Sequence, residues 1–145
     1  MTDLLTTSST AGLYLEVQQF YARHMHLLDD GDAEGWAATF AADGVFEPPG
    51  GKPVRGREAL VAAVTKGHAA LREQGIRHRH WHGMVDVRPV DETHAEVRCY
   101  ALVIATPLGG ETTVHRACVC TDLLVRGPQG QWLVEHRSVT RDDLP

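Results

Sequence analysis

The chain has 145 residues, 43% hydrophobic and 23% charged, with a formal net charge of −5. One domain of this length buries roughly 70% of the surface its unfolded form exposes, so the balance excludes wholesale disorder and offers no basic footprint for nucleic acid or an anionic membrane. No apolar run reaches the ~18 residues of a bilayer crossing, MTDLLTTSST lacks a basic-then-apolar leader, and three cysteines are too few for a disulfide framework, which together predict a reducing, cytoplasmic setting.

The first ten residues are Ser/Thr-rich and are expected to be disordered, with helix beginning near Ala11. From Leu13, the residues Val17, Phe20, Tyr21, His24, Leu27 and Leu28 recur at helical spacing and gather on one face. Asp29-Asp30-Gly31 ends that helix, and Asp32 is placed to cap a short second one carrying Trp36, Ala37 and Phe40. Val45 and Phe46 fit a short strand, Pro48 to Gly51 a loop, and Arg57 to Glu73 a third helix. After Gly75 the apolar period becomes two, predicting strands at about 77–87, 94–106, 112–125 and 132–139 joined by Pro/Gly-rich turns. Helices followed by an antiparallel meander read as a single α+β domain, 1–145, with helices on one sheet face.

Nine histidines are the unusual feature of the composition. His78, His80 and His82 alternate along one predicted strand and share a face, so two of them could hold a metal ion if a third ligand completed the set. No third ligand stands at helical spacing, and no metal is expected. If His80 faces inward, regular alternation puts Trp81, Val85 and Val87 on the outer face, which then needs either a bulge that resets the register or a partner that covers it. His24 falls near the centre of the first helix's apolar face, where a polar group must line a cavity or find a partner. Arg116 shares parity with Cys118 and Cys120, which read as small lining residues, and His115 is expected on the opposite face.

The order α-α-β-α-β-β-β-β resembles the nuclear-transport-factor-2-like superfamily. Leu28-Asp29-Asp30-Gly31-Asp32, the run from Thr39 to Phe46, Arg79-His80, and Gly130 to Val134 followed by Arg137 draw the likeness toward its SnoaL-like and scytalone-dehydratase-like branch. The resemblance implies a cone-shaped α+β barrel, a curved mixed or antiparallel sheet wrapped around three helices with a central pocket, paired as a homodimer through the sheet. It also implies an acid/base site at Asp29 and His80 that needs no cofactor: the carboxylate fixes the imidazole tautomer, and the free ring nitrogen moves a proton. Read without the resemblance, Asp29 is a helix-ending carboxylate and His80 a strand histidine.

The likeness has limits. The stretch Val103 to Thr106 lacks the second pocket histidine of scytalone dehydratase, Cys118 replaces its asparagine, and Leu28 replaces its tyrosine. Substrate-binding groups are therefore sought at His24, Arg116, Cys118 and Arg137, the last of which matches an arginine of SnoaL-like relatives. The expected function is dehydration of a hydrophobic, hydroxylated aromatic polyketide-like molecule. Cyclisation or ketosteroid-isomerase-like isomerisation at the same site, and a non-catalytic binding or assembly role, are the alternatives, since this fold hosts all of them.

Overall fold

The computed structural model describes residues 2–145, with side chains from Thr10 onward. Its elements in chain order are α1 (Thr2–Asp29), α2 (Ala33–Ala37), β1 (Phe40–Glu47), β2 (Val54–Arg55), α3 (Arg57–Gln74), β3 (Ile76–Pro89), β4 (His94–Pro107), β5 (Thr113–Arg126) and β6 (Trp132–Arg141). α1 starts well before Ala11; the side chains of residues 1–9, and with them the expectation of a disordered terminus, lie outside the described residues. No described helix is long and apolar enough to cross a membrane.

The six strands form one mixed sheet in the order β2-β1-β6-β5-β4-β3. It is an open sheet, not a closed barrel: β3 to β6 run antiparallel, while β1 lies parallel to β6, pairing Val45 with His136 and Phe46 with Arg137. The period-two runs after Gly75 produce this meander because one face of each strand is buried. Val17 and Tyr21 of α1, Trp36 of α2, Leu60 of α3, and Phe40, Val97, Cys99, Cys120, Leu124 and Val134 of the sheet make the core. Burying a side chain such as Phe40 or Leu60 contributes about 1.5–3 kcal/mol.

Two glycines shape the chain around the site. Gly31 follows α1 at φ 78, and a Cβ there would come within 2.6 Å of the His68 ring, so the turn that ends α1 at Asp29 and packs on α3 requires glycine. Gly75 ends α3 at φ 67, its N–H bonding back to the carbonyls of Arg72 and Leu71 and releasing the chain into β3.

Three local features refine the sequence reading. Phe40 opens β1 instead of continuing α2, and its carbonyl accepts bonds from Arg57 Nε at 3.1 Å and Nη2 at 2.7 Å. Val54–Arg55, to which the sequence pattern assigned no element, pairs with β1. In β3 the parity problem is met by a bulge between Gly83 and Asp86: Met84 takes φ 52, and the extra residue returns Val87, paired with Val97, to the core. Trp81, before the bulge, stays on the outer face at 64% exposed.

Candidate active site

Asp29 ends α1 beside β3. Its Oδ1 lies 2.6 Å from His80 Nδ1, and its Oδ2 accepts the His80 backbone N–H at 3.0 Å. Both carboxylate oxygens therefore hold one residue. The Asp29 side chain is 6% exposed and that of His80 25%, so the carboxylate is enclosed while the imidazole reaches accessible space. With Nδ1–H donated to Asp29, Nε2 carries the lone pair, and no protein group bonds it among the described residues.

A second group of polar residues lies deeper in the core. Arg137 donates through Nε and Nη2 to the two oxygens of Asp122, each at 2.8 Å, and through Nη1 to His24 Nε2 at 2.8 Å. Tyr21 Oη donates to Asp122 at 2.8 Å, and Cys120 Sγ to the same carboxylate at 3.3 Å. The Thr39 hydroxyl donates to the Trp36 carbonyl, so its oxygen accepts Nδ1–H of His24 at 2.6 Å. Both His24 nitrogens are thus satisfied, and the ring is neutral.

The electrostatics agree with these bonds. Burial, then the Arg137 charge and the nearby His82 and His80, push His24 well below the ordinary histidine range. Burial would raise Asp122, but the Arg137 charge and the bonds from Arg137 and Tyr21 outweigh it and hold the carboxyl down. Burial, followed by the Asp122 charge, pushes the Tyr21 hydroxyl well up.

The histidines of β3 share a face but part company in their partners. His78 sits 6.4 Å from His80, ring to ring, and 5.2 Å from His115. His115 therefore lies on the inner side, contrary to its expected parity, because Val103 pairs with Arg116 and Ile104 with Val114, leaving His115 as the extra residue of a second bulge. His82 turns toward Cys99, its Nδ1 3.5 Å from Sγ, and meets the edge of the Tyr21 ring. The neighbouring Cys120 side chain lowers the Cys99 thiol to about 6 against the effect of burial, with His82 adding to the same direction.

Of the residues singled out in the sequence, Asp29 and His80 come together, and His24 and Arg137 come together in the buried network. Cys118 is buried between Ala101 and Arg141, and burial raises its thiol. Arg116 is half-buried and donates to the His115 carbonyl at 3.2 Å. Sequence reasoning missed Tyr21, Thr39 and Asp122. Asp122 shares parity with Cys118 and Cys120, so a lone acid on the inner face of an apolar strand was the available signal. It also missed Trp36 Nε1, a buried donor with no partner among the described residues, beside His24 and Phe40.

Similar solved structures include one from Catenulispora acidiphila in complex with S-DNPA, 39% identical over 92% of this chain and 96% of that chain, with a TM-score of 0.82. ActVI-ORFA from Streptomyces coelicolor is 30% identical over 93% of this chain and 98% of that chain, with a TM-score of 0.86. An NTF2-like protein with a cystatin-like fold from Novosphingobium aromaticivorans is 27% identical, covering 100% and 92% of the two chains, with a TM-score of 0.81. No match was found among curated proteins. With residues 9–138 matching the SnoaL-like domain, on an NTF2-like cone-shaped α+β scaffold, the chain belongs to the SnoaL-like family.

Proposed function

We propose that the protein is an acid/base catalyst of secondary metabolism that dehydrates a hydrophobic, hydroxylated aromatic polyketide-like molecule without a cofactor. The observation that carries this reading is the 2.6 Å bond between Asp29 and His80 Nδ1, which leaves Nε2 as a base with a fixed tautomer and a reachable face. Membership of the SnoaL-like family and the complex of one relative with S-DNPA support a small-molecule substrate.

In a β-hydroxy carbonyl compound, Nε2 of His80 takes the proton from the carbon beside the carbonyl, and the C–H electron pair forms an enolate. As the enolate collapses to a conjugated alkene, the β C–O bond breaks and the departing oxygen takes the proton back from Nε2 as water. Asp29 balances the imidazolium between these steps. Arg137, bonded to both Asp122 and His24, holds these inner side chains in place. Isomerisation or ring closure would use the same proton transfer with a different electron sink.

Incubating the protein with hydroxylated aromatic ketones, with mass spectrometry of the products, tests the reading. Loss of one water is expected, with the rate reduced about 10²–10⁴-fold in Asp29→Asn and His80→Gln. Full turnover in either variant overturns the site.

On the outer sheet face, Trp81, Tyr100 and Val114 are exposed. A second copy of the chain is proposed to cover them, giving a homodimer.

A further inference from the structure

We infer that His82, Cys99 and Cys120 form a zinc site apart from the Asp29/His80 reaction, with one imidazole and two thiolates as ligands and water in the fourth position. Their donor atoms all lie within 4.8 Å of one another. They stand on three adjacent strands: Cys99 of β4 pairs directly with Cys120 of β5, and His82 of β3 pairs with Ala101, two residues along β4 from Cys99. Side chains two apart on a strand share a face, so all three point inward from a rigid sheet.

The spacing suits a tetrahedral ion. Bond lengths of about 2.3 Å to sulfur and about 2.0–2.1 Å to nitrogen place a ligating sulfur and nitrogen about 3.6 Å apart. The Cys99 Sγ to His82 Nδ1 distance is 3.5 Å. Two thiolates and an imidazole favour a borderline-soft metal over magnesium or calcium, which take oxygen ligands.

Charge also fits. Cys99 and Cys120 are each 1% exposed, where a net charge is costly. A divalent ion with two thiolates is neutral, and the neighbouring Asp122 is already balanced by Arg137. Binding releases the thiol protons and oxidises nothing. Half-buried His82 marks the side from which the ion enters.

The test uses the full chain, reduced and stripped with chelator, without substrate, so that it is independent of the Asp29/His80 reaction. Titration with cobalt(II) is expected to give one equivalent of a tetrahedral spectrum with thiolate-to-cobalt charge-transfer bands, abolished on adding zinc. Cys118→Ser should retain these bands, and Cys99→Ser should weaken them. If Cys99→Ser does not fold, X-ray absorption of the zinc-loaded wild type is decisive: two sulfur neighbours at about 2.3 Å support the site. A zinc shell without sulfur, cobalt binding without thiolate bands, or bands unchanged in folded Cys99→Ser overturns it.

Discussion

His24 sits in the core with both nitrogens bonded, and folding keeps it neutral. Its folded pKa lies well below the unfolded value of 6.5, so the unfolded chain binds the extra proton between those two values. Stability is therefore full above the unfolded pKa and falls as the pH drops below about 6.5, by about 1.4 kcal/mol between pH 7.5 and 5.5. Partly buried His78, shifted in the same direction chiefly by burial, adds a smaller slope. Urea midpoints at the two pH values should show this loss in the wild type and a shallower one in His24→Gln; equal slopes would place the acid sensitivity elsewhere. The buried ion pair behaves differently: removing one partner, as in Asp122→Ala, leaves the Arg137 charge unpaired and should cost about 3–5 kcal/mol, read from chemical unfolding. His24 was legible as an inward-facing polar residue and Arg137 through the resemblance, but their mutual bond was not, because it joins α1 to β6 across 113 positions of sequence. Asp29 and His80 were legible only through resemblance, since each residue taken alone fits an ordinary turn or strand.

The β-bulges in β3 and β5 decide what these long strands present to each side. Met84 adopts φ 52 and is 79% exposed, so it bears a backbone strain that no packing offsets. Met84→Gly is expected to raise stability by about 1 kcal/mol in a denaturant titration, whereas deleting Met84 would restore strict alternation and drive Val87 out of the core. A Met84→Gly protein that is no more stable would show that the bulge is not strained. Strands β3 to β6 were readable from the period-two pattern, with ends displaced by only a few residues. The parity of β3 pointed to a bulge as one of two ways to bring Val87 inside, but its position, and the bulge in β5, were not readable, because an extra residue in a strand leaves no compositional mark when it is neither Gly nor Pro. The two-residue β2 lacks enough length to show any period, and Phe40 falls at helical spacing from Trp36, which is why it read as helix although it begins β1.

At the scale of the molecule, α1, α2 and α3 cover one face of the sheet, and the other face is left with Trp81, Tyr100 and Val114 in the open. Tyr100 and Trp81 lie on neighbouring strands, Gly83 pairing with Tyr100 and Trp81 with Leu102, so they form one surface and not scattered residues. Sedimentation velocity should find a dimer that Trp81→Lys converts to monomer; a monomeric wild type would leave this face without the proposed partner.

The bond from the His80 N–H to Asp29 has another result. β3 is the last strand of the sheet, and its outward amides form an open template onto which a further strand could add. Asp29 occupies one of those amides near the middle of a 14-residue strand, and α1 brings a negative charge against that edge. The carboxylate that orients the imidazole therefore also guards against strand addition between molecules. Exchanging Asp29 for alanine would remove both effects at once, and light scattering on warming should show the variant self-associating before it unfolds.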